Sequence, residues 1–302
     1  MEKKIKYIHI IINPAAGRDE SILPVINNVM KEAGIKWEGL ITHQAGDGIK
    51  FAKAAVKAGV DAVAVYGGDG TVTEAVSGLM GSETPLAILP GGSTNGLATE
   101  LGIPLTVKEA LTLLGQGPLE TKTIDVGQFE KRYFISGISI GFEADMVKGA
   151  NRGTKNKFGI LAYFISGFKA LKKITRVLYH IKIDGQEHDV QGLTCMITNT
   201  GNIGFSTISF DKHINVSDGL LDVLVVRKAT ISLFEHMLVT LIKRERPENW
   251  ELVKHWQGKE ISITATPAQT VQCDGEVLKE MPVNIKIIPG AIKVLVPKLP
   301  KT

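Results

Sequence analysis

The chain has 302 residues, 44% apolar and 22% charged, which is ordinary for a globular protein and long enough for two domains. Its formal net charge of +4 is too small to indicate nucleic-acid binding, and its two cysteines exclude a disulfide framework or a cysteine-based zinc site. No stretch approaches the roughly 18 apolar residues of a membrane-spanning helix, and no signal peptide is recognisable, so we expect a cytoplasmic protein.

The first part of the chain alternates predicted strands with predicted helices. The strands cover residues 5–12, 36–42, 61–66 and 86–89, and the helices cover residues 20–33, 47–58 and 72–80. This spacing indicates an α/β domain with a parallel sheet. Ligands of such sheets bind beyond the carboxyl ends of the strands, where residues 13–17, 42, 67–74 and 90–96 fall.

The loop after the third predicted strand is rich in glycine. It runs Gly67, Gly68, Asp69, Gly70. Thr71 and Glu74 have the spacing of a capping box, which predicts a helix start here. Glycines let a ligand reach bare N–H groups, and a helix N-terminus favours phosphate. A carboxylate would repel that phosphate unless a cation lay between them, so Asp69 suggests Mg²⁺. For this loop alone, an ordinary strand-to-helix turn is the stronger interpretation.

A second glycine loop follows the fourth predicted strand. It runs Pro90, Gly91, Gly92, Ser93, Thr94, Asn95, Gly96, and its polar side chains can cap a following helix. Two phosphate-type loops on neighbouring strands can face one nucleotide, which makes the ordinary turn the weaker interpretation. The Walker P-loop sequence is absent, and Thr73 stands where the dinucleotide fingerprint has its third glycine.

The remainder of the chain changes character after Asp125. Short predicted strands cover residues 132–140, 177–184, 190–199, 220–227, 259–266, 283–288 and 291–296, a pattern typical of an antiparallel sandwich or barrel. We therefore expect a nucleotide-binding α/β domain over residues 1–125 and a β-sandwich substrate domain over residues 126–290. Residues 291–302 are a candidate to return to the first domain.

Several carboxylates allow two interpretations each. Asp274-Gly275-Glu276 supplies the best candidate for a general base, although Asp-Gly is also a common hairpin turn. Asp125 can orient a substrate or satisfy local backbone donors. Asp218 can anchor a structural cation or belong to a plain turn.

Residues 148–176 form a basic and apolar segment without an acidic residue. Its basic residues are Lys148, Arg152, Lys155, Lys157, Lys169, Lys172, Lys173 and Arg176. Aromatic and aliphatic residues lie between them, a composition that suits an interfacial element on an anionic membrane. A helix packed on the second domain, with its basic end in water, explains the segment equally well.

Taken in order, these motifs resemble the diacylglycerol kinase catalytic-domain family. The matching residues are Asn13-Pro14 with Gly17, Gly67 to Thr71 with Glu74, Pro90-x-Gly92-Ser93-x-Asn95, and Asp274-Gly275-Glu276. The family includes bacterial soluble lipid kinases and sphingosine and ceramide kinases, and it is related to NAD kinases and 6-phosphofructokinases. The resemblance implies an ATP-binding α/β domain, a β-sandwich domain and an active site in the cleft between them.

The resemblance also implies roles for individual residues. ATP would be held by Asn13, Pro14, Ala15, Ala16, Gly17, Thr42, Gly67, Gly68, Asp69, Gly70, Thr71, Val72, Thr73, Glu74, Gly92, Ser93 and Asn95, with Asp69 acting through Mg²⁺. Glu276 would accept the proton of the lipid hydroxyl, with Asp274 and Asp125 in the same acidic network. Asp218 would bind a structural Mg²⁺ beside the carbonyl groups of Asn215 and Leu220.

One position departs from the family pattern. Bacterial diacylglycerol kinases usually have Asn-Asp in the fourth loop, whereas this chain has Asn95-Gly96. The sequence therefore predicts an ATP- and Mg²⁺-dependent lipid kinase whose acceptor, diacylglycerol or a sphingosine-like lipid, stays open. Its expected location is the cytoplasm, with peripheral binding to the inner membrane surface as an option.

Two alternatives to a lipid kinase remain. Residues 201–205 superficially resemble NAD kinase, and Gly96 allows a non-catalytic, nucleotide-gated protein of the membrane surface.

Overall fold

The computed structural model describes residues 5–17, 21–141, 176–201, 214–228, 252–274, 276–278 and 281–298. The chain divides into two compact units. The first comprises residues 1–126 and 289–302, and the second comprises residues 127–288. The basic segment 148–176, apart from Arg176, and residues 202–205 lie outside the described residues. In the described part of the chain, no helix has the length and hydropathy needed to cross a bilayer.

The first unit is built on a parallel sheet. Its strands are β1 (Tyr7–Ile12), β2 (Lys36–Ile41), β3 (Ala62–Gly67) and β4 (Leu86–Pro90). Its helices are α1 (Ile22–Ala33), α2 (Asp47–Ala58), α3 (Asp69–Leu79), α4 (Gly96–Glu100) and α5 (Val107–Gln116). The strands lie in the order β2-β1-β3-β4 and pair in parallel. The last strand of the chain, β16 (Val283–Pro297), joins them through Val294 opposite Leu86.

Burial explains why these residues form strands and helices. The central strands β3 and β4 are buried at every position, as expected for parallel strands covered on both faces. Helices α2 and α3 pack closely because a glycine lies at their contact. A Cβ atom on Gly78 would lie only 2.6 Å from the Cβ of Ala52. This close packing holds the C-terminal part of α3 against α2.

The second unit is a sandwich of antiparallel strands, which β5 (Leu119–Phe129) enters from the first unit. The other strands are β6 (Arg132–Phe134), β7 (Gly137–Gly141), β8 (Val177–Ile183), β9 (Gln186–Gly192), β10 (Thr194–Thr198), β11 (Leu221–Val226), β12 (Val253–Gly258), β13 (Glu260–Thr266), β14 (Val271–Cys273) and β15 (Glu276–Leu278). One sheet has the order β16-β13-β8-β9, and the other has the order β12-β11-β10-β7-β14-β15. Strand β6 forms a hairpin with β5.

The two sheets of the second unit share one hydrophobic core. Tyr179 and Ile181 from one sheet pack with Ile140 and Val223 from the other, and all four are almost fully buried. Cys195 belongs to this core, and burial raises the pKa of its thiol. Because the thiolate is the reactive form, this cysteine is not a candidate nucleophile. The predicted fold class, an α/β domain followed by a β-sandwich, is therefore confirmed.

Several predicted boundaries were wrong. Helix α3 starts at Asp69, three residues before the predicted start. The strand predicted over residues 190–199 is interrupted at Leu193, whose N–H donates to the carbonyl of Val226, so it forms parts of β9 and β10. The segments predicted as 283–288 and 291–296 form the single strand β16. The pattern analysis missed α5, β5, β12, β14 and β15. Strands β14 and β15 have only three residues each, whereas α5 carried a recognisable signal, the capping box of Thr106 and Glu109.

Candidate active site

The loop after β1 is bound to the start of α3. The side-chain Nδ2 of Asn13 donates to Oγ1 of Thr71 at 2.9 Å, and the backbone N–H of Asn13 donates to the carbonyl of Tyr66 at 2.9 Å. The Oδ1 atom of Asn13 accepts from the N–H of Ala15 at 2.9 Å. Asn13 therefore shapes its own loop and links it to the loop after β3.

Gly17 links the same loop to the one after β4. Its N–H donates to the carbonyl of Gly91 at 2.7 Å, and its φ of +88° is a conformation that glycine adopts readily. A Cβ atom at Gly17 would lie 1.9 Å from the hydroxyl oxygen of Tyr66, so a larger residue does not fit. The loops after β1, β3 and β4 are thus connected by direct hydrogen bonds.

The two glycine loops touch through their backbones. A Cβ atom on Gly92 would lie 2.6 Å from the Cα of Gly68, and the N–H of Gly91 donates to the carbonyl of Gly67 at 2.9 Å. Asn95, with a φ of +51°, accepts from the N–H of Gly92 through Oδ1 at 2.9 Å. Its side chain closes the loop and does not cap α4, so the predicted cap is wrong.

The predicted capping box is also wrong. Helix α3 has Gly68 as its N-cap, with no side-chain cap, and Thr71 and Glu74 lie inside the helix. The hydroxyl of Thr71 binds Asn13, as described above, and the carboxylate of Glu74 accepts from the N–H groups of Gly46 and Gly48 at 2.8 and 2.9 Å. Both side chains therefore form hydrogen bonds to neighbouring loops, and neither caps the start of α3.

The loop after β2 is held by two carboxylates, one at its own C-terminal end and one from α3. Asp47 accepts from the N–H groups of His43 and Gln44 at 2.8 and 3.1 Å, and these backbone hydrogen bonds lower the pKa of its carboxyl. Thr42 is buried, and its N–H donates to the carbonyl of Ile12 at 2.9 Å. Together with Glu74, these contacts bind the loop to the sheet and to α3.

Burial divides the predicted nucleotide-binding residues into three groups. The exposed residues are Pro14, Ala15, Gly17, Gly70 and Ser93; the half-buried ones are Asn13, Ala16, Gly68, Asp69, Thr73, Glu74, Gly92 and Asn95; the buried ones are Thr42, Gly67, Thr71 and Val72. The exposed group is therefore accessible to a ligand, and the buried group maintains the shape of the loops.

Each of two aspartates in the first unit binds a backbone N–H from a distant part of the chain. Oδ1 of Asp69 accepts from the N–H of Gly96 at 2.8 Å, which links the start of α3 to the start of α4. Asp125 is only 3% exposed, and its Oδ1 accepts from the N–H of Gly290 at 2.7 Å. Asp125 thus satisfies a backbone donor, although this donor lies 165 positions away and is not local as that interpretation assumed.

In the second unit, Asp274 lies in the turn between β14 and β15, in which Cys273 is opposite Glu276. The hairpin interpretation is confirmed. The Asp274 carboxylate accepts three consecutive backbone N–H groups, those of residues 135, 136 and 137, at 2.9, 3.1 and 3.0 Å. Successive N–H groups that converge on one anion form a strong binding arrangement, so this contact fixes the turn before β7.

Glu276 has a different environment. Its side chain is 73% exposed, and its Oε2 lies 3.1 Å from Nη1 of Arg132. The sequence analysis did not single out Arg132, because it is 144 positions away in the chain and belongs to no motif. The pairing of β7 with β14 and the hydrogen bonds from residues 135–137 to Asp274 join the two hairpins, and this brings Arg132 and Glu276 together.

The proposed structural metal ligands share one tight turn. The N–H of Asp218 donates to the carbonyl of Asn215 at 3.4 Å, and Oδ1 of Asp218 accepts from the N–H of Leu220 at 3.0 Å. A carboxylate beside backbone carbonyls suits a hard cation such as Mg²⁺. Among the described residues, no group of three or more His, Cys, Asp or Glu side chains could form a protein-only metal cage.

The sequence and structure both match known proteins. The family described as diacylglycerol kinase catalytic domain matches residues 7–129, and the YegS C-terminal NAD kinase beta sandwich-like domain matches residues 136–296. The chain belongs to the diacylglycerol kinase family. A diacylglycerol kinase of Staphylococcus carnosus is 27% identical over 97% of this chain and 96% of its own length. A crystal structure of a diacylglycerol kinase from Bacillus anthracis covers 98% of each chain, with 25% identity and a TM-score of 0.77.

The chain is therefore a member of a kinase family, and the matched regions contain most of the candidate site residues. The first matched region contains both glycine loops and Asp125, and the second contains Asp218, Asp274 and Glu276. An uncharacterised Synechocystis protein is also 28% identical over 97% of this chain and 71% of its own length. The match to the family therefore extends over both units.

Gly70 allows a test of whether the first glycine loop binds a ligand. Among the described residues, no atom lies within 4 Å of a Cβ built on Gly70, and its φ is not positive, so we expect Gly70→Ala to fold normally. Alanine in a helix stabilises by up to about 1 kcal/mol relative to glycine. If phosphate packs against this backbone, the methyl group weakens ATP binding by about tenfold or more, since overpacking costs about 1–3 kcal/mol.

Calorimetry of ATP binding and thermal melting measure the two effects separately. Gly92→Ala is the comparison variant, because its Cβ would meet the backbone of Gly68 at 2.6 Å and should lower stability and binding together. Unchanged ATP affinity in Gly70→Ala would show that the nucleotide does not approach this part of the loop.

Proposed function

We propose that this chain is a lipid kinase that transfers the γ-phosphate of ATP, in the presence of Mg²⁺, to a hydroxyl group of a lipid such as diacylglycerol or a sphingosine-like lipid. The observation that carries the proposal is the set of hydrogen bonds that joins the loops after β1, β3 and β4, together with the exposure of Gly70 in the second of them. Family membership supports a kinase, and these loops supply a place for its nucleotide.

ATP is expected to bind with its phosphates against the exposed backbone of these loops. Gly70 and Ser93 present accessible main-chain groups, and α3 adds the positive end of its dipole. Gly68 and Gly92 are in backbone contact, which leaves no room for side chains between the two loops. A preformed loop pair loses little conformational entropy when it binds a ligand.

Asp69 is the residue that would hold Mg²⁺ on the nucleotide side. Its half-buried carboxylate stands among glycine N–H groups that suit phosphate, and Mg²⁺ typically uses one or two carboxylates plus the phosphates of its substrate. The donor set therefore fits this metal. Bound Mg²⁺ supplies charge neutralisation on the phosphate oxygens. The bond from Gly96 to Oδ1 fixes the orientation of the carboxylate. A second, structural Mg²⁺ would be held at Asp218 by the turn that contains Asn215 and Leu220.

Glu276 is proposed to accept the proton of the lipid hydroxyl. It is exposed to an incoming substrate, whereas the carboxylates of Asp69, Asp125 and Asp274 all bind backbone N–H groups. Asp274 and Asp125 are proposed to belong to the same acidic network as Glu276, whereas Asp69 acts through Mg²⁺. Removing the hydroxyl proton increases the nucleophilicity of the attacking oxygen.

The family motifs do not determine which lipid accepts the phosphate. Gly96 replaces the aspartate usual in bacterial diacylglycerol kinases, and its N–H binds Asp69 directly. A sphingosine-like acceptor is therefore as consistent with this site as diacylglycerol. Peripheral binding to an anionic membrane is part of the proposal and rests on the composition of residues 148–176.

The test measures transfer of labelled γ-phosphate from ATP with Mg²⁺ to diacylglycerol, sphingosine, ceramide and undecaprenol in detergent micelles, with NAD in solution as a further acceptor. We expect one lipid to be phosphorylated and the signal to disappear without Mg²⁺. Phosphorylation of NAD alone would establish the NAD kinase alternative. ATP binding without transfer to any acceptor would support the non-catalytic alternative.

A further inference from the structure

The proposed proton acceptor has a cationic partner, Arg132, whose position suggests a role in the reaction. The guanidinium Nη1 lies 3.1 Å from Oε2 of Glu276, and the two side chains are 59% and 73% exposed. An ion pair this exposed contributes little to folding stability. Its importance would therefore lie in the chemistry of Glu276.

The backbone on both sides of this ion pair is fixed. Arg132 begins β6 and pairs with Phe129 across the hairpin, and Glu276 begins β15. Asp274, two residues before Glu276, binds the N–H groups of residues 135–137, which follow Arg132 within five positions. The Asp274 contact thus holds the two hairpins in register, so that a long side chain on one can reach the carboxylate on the other.

We propose that Arg132 is a positioning residue for Glu276 that then binds the newly formed phosphate monoester. The inference rests on the proposed kinase function. Before transfer, the guanidinium holds the Glu276 carboxylate in the orientation needed to accept a proton. After transfer, the same guanidinium binds the phosphate of the product.

The reaction itself provides the reason for this exchange of partners. The bond between the acceptor oxygen and the γ-phosphorus forms, the bond from the γ-phosphorus to the β,γ-bridging oxygen breaks, and ADP leaves with that electron pair. The hydroxyl proton passes to Glu276, whose carboxyl becomes neutral. Arg132 then faces a neutral acid and a phosphate monoester with negative charge, and a guanidinium binds the charged phosphate more strongly.

Arginine suits this exchange better than lysine. Its planar group carries five N–H donors in a fixed fork that matches two phosphate oxygens, and the contact with Glu276 is made through one nitrogen, Nη1. A lysine would keep the positive charge without the fork. Arg132→Lys should therefore retain part of the function, and Arg132→Gln should retain little of it.

The experiment compares Arg132→Gln and Arg132→Lys with the wild-type chain, using the lipid accepted in the panel assay and its phosphate monoester. Lys131→Gln is the matched control, because Lys131 is the exposed neighbour in the same turn. For Arg132→Gln we expect kcat to fall by about 10- to 100-fold, and inhibition by the monoester to weaken by about tenfold. The KM for ATP and the melting temperature should stay close to wild type, and Arg132→Lys should recover part of kcat.

The outcomes separate this inference from the proposed function. If Arg132→Gln keeps wild-type kcat and product inhibition while Glu276→Gln is inactive, the role of Arg132 is overturned and the kinase assignment stands. A fall in kcat that is matched by a lower melting temperature and is not recovered by lysine would reveal a structural role and would also overturn the inference. A wild-type chain that phosphorylates no acceptor would overturn both proposals.

Discussion

Glu276→Gln is expected to abolish phosphate transfer while ATP binding persists. The amide cannot accept a proton at neutral pH, and removal of a general base costs about 10²- to 10⁴-fold in rate. Stability should change little, because the side chain is 73% exposed and its ion pair with Arg132 lies at the surface. The measurement is initial-rate transfer to the accepted lipid, with ATP affinity determined by calorimetry on the same preparation.

A matched control for Glu276 is available in the same unit. Glu187→Gln removes an exposed carboxylate from β9 without altering the turn that carries Glu276. This variant should keep wild-type turnover. A Glu276→Gln variant that turns over at the wild-type rate would exclude Glu276 as the proton acceptor, and loss of ATP binding in that variant would indicate that the substitution acts on more than proton transfer.

The parts of the site that sequence revealed are those set by local chain chemistry. Continuous apolar runs predicted β1, β3 and β4, because a strand buried on both faces must be apolar along its length. Gly68 and Gly92 marked the two loops because a close approach of two backbones needs residues without side chains. These requirements act over a few residues and so leave a pattern in the sequence.

Contacts over long sequence separations were not predictable in this way. Thr71 and Glu74 matched a capping box, but their partners are Asn13, 58 positions away, and Gly46, 28 positions away. A side chain forms the contact that the tertiary structure offers, and this outweighs a local preference worth about 1 kcal/mol. The pair of Arg132 and Glu276 was missed for the same reason, since it depends on the pairing of β7 with β14 and on the contact of Asp274 with residues 135–137.

Asp274 shows how one motif can satisfy two interpretations. Asp-Gly predicted a hairpin turn, and the pairing of β14 with β15 confirms it. The resemblance placed the same aspartate in an acidic network, a role that remains a proposal. The structure adds a third feature that neither interpretation contained, namely the three N–H groups of residues 135–137 on its carboxylate. Its charge therefore organises the backbone next to Glu276 whatever its part in the reaction.

Asp274→Ala is expected to destabilise the second unit by about 2–4 kcal/mol, since each buried donor left without an acceptor costs about 1–3 kcal/mol and water can reach part of this turn. The φ of +42° at Asp274 adds to the cost, because alanine adopts the left-handed conformation less readily than aspartate or asparagine. Asp274→Asn keeps one acceptor oxygen and tolerates this φ, so its loss of stability should be clearly smaller.

Hydrogen exchange tests the physical cause directly. In Asp274→Ala, the amides of residues 135–137 should exchange much faster than in the wild type, whereas amides of the central strand β3 in the first unit should keep their protection. Urea unfolding followed by several probes gives the accompanying change in free energy. Retained protection at residues 135–137, together with a loss below about 1 kcal/mol, would show that the Asp274 carboxylate is not what protects these amides or stabilises this turn. The Asp274 contact could then not be what holds Arg132 and Glu276 in register.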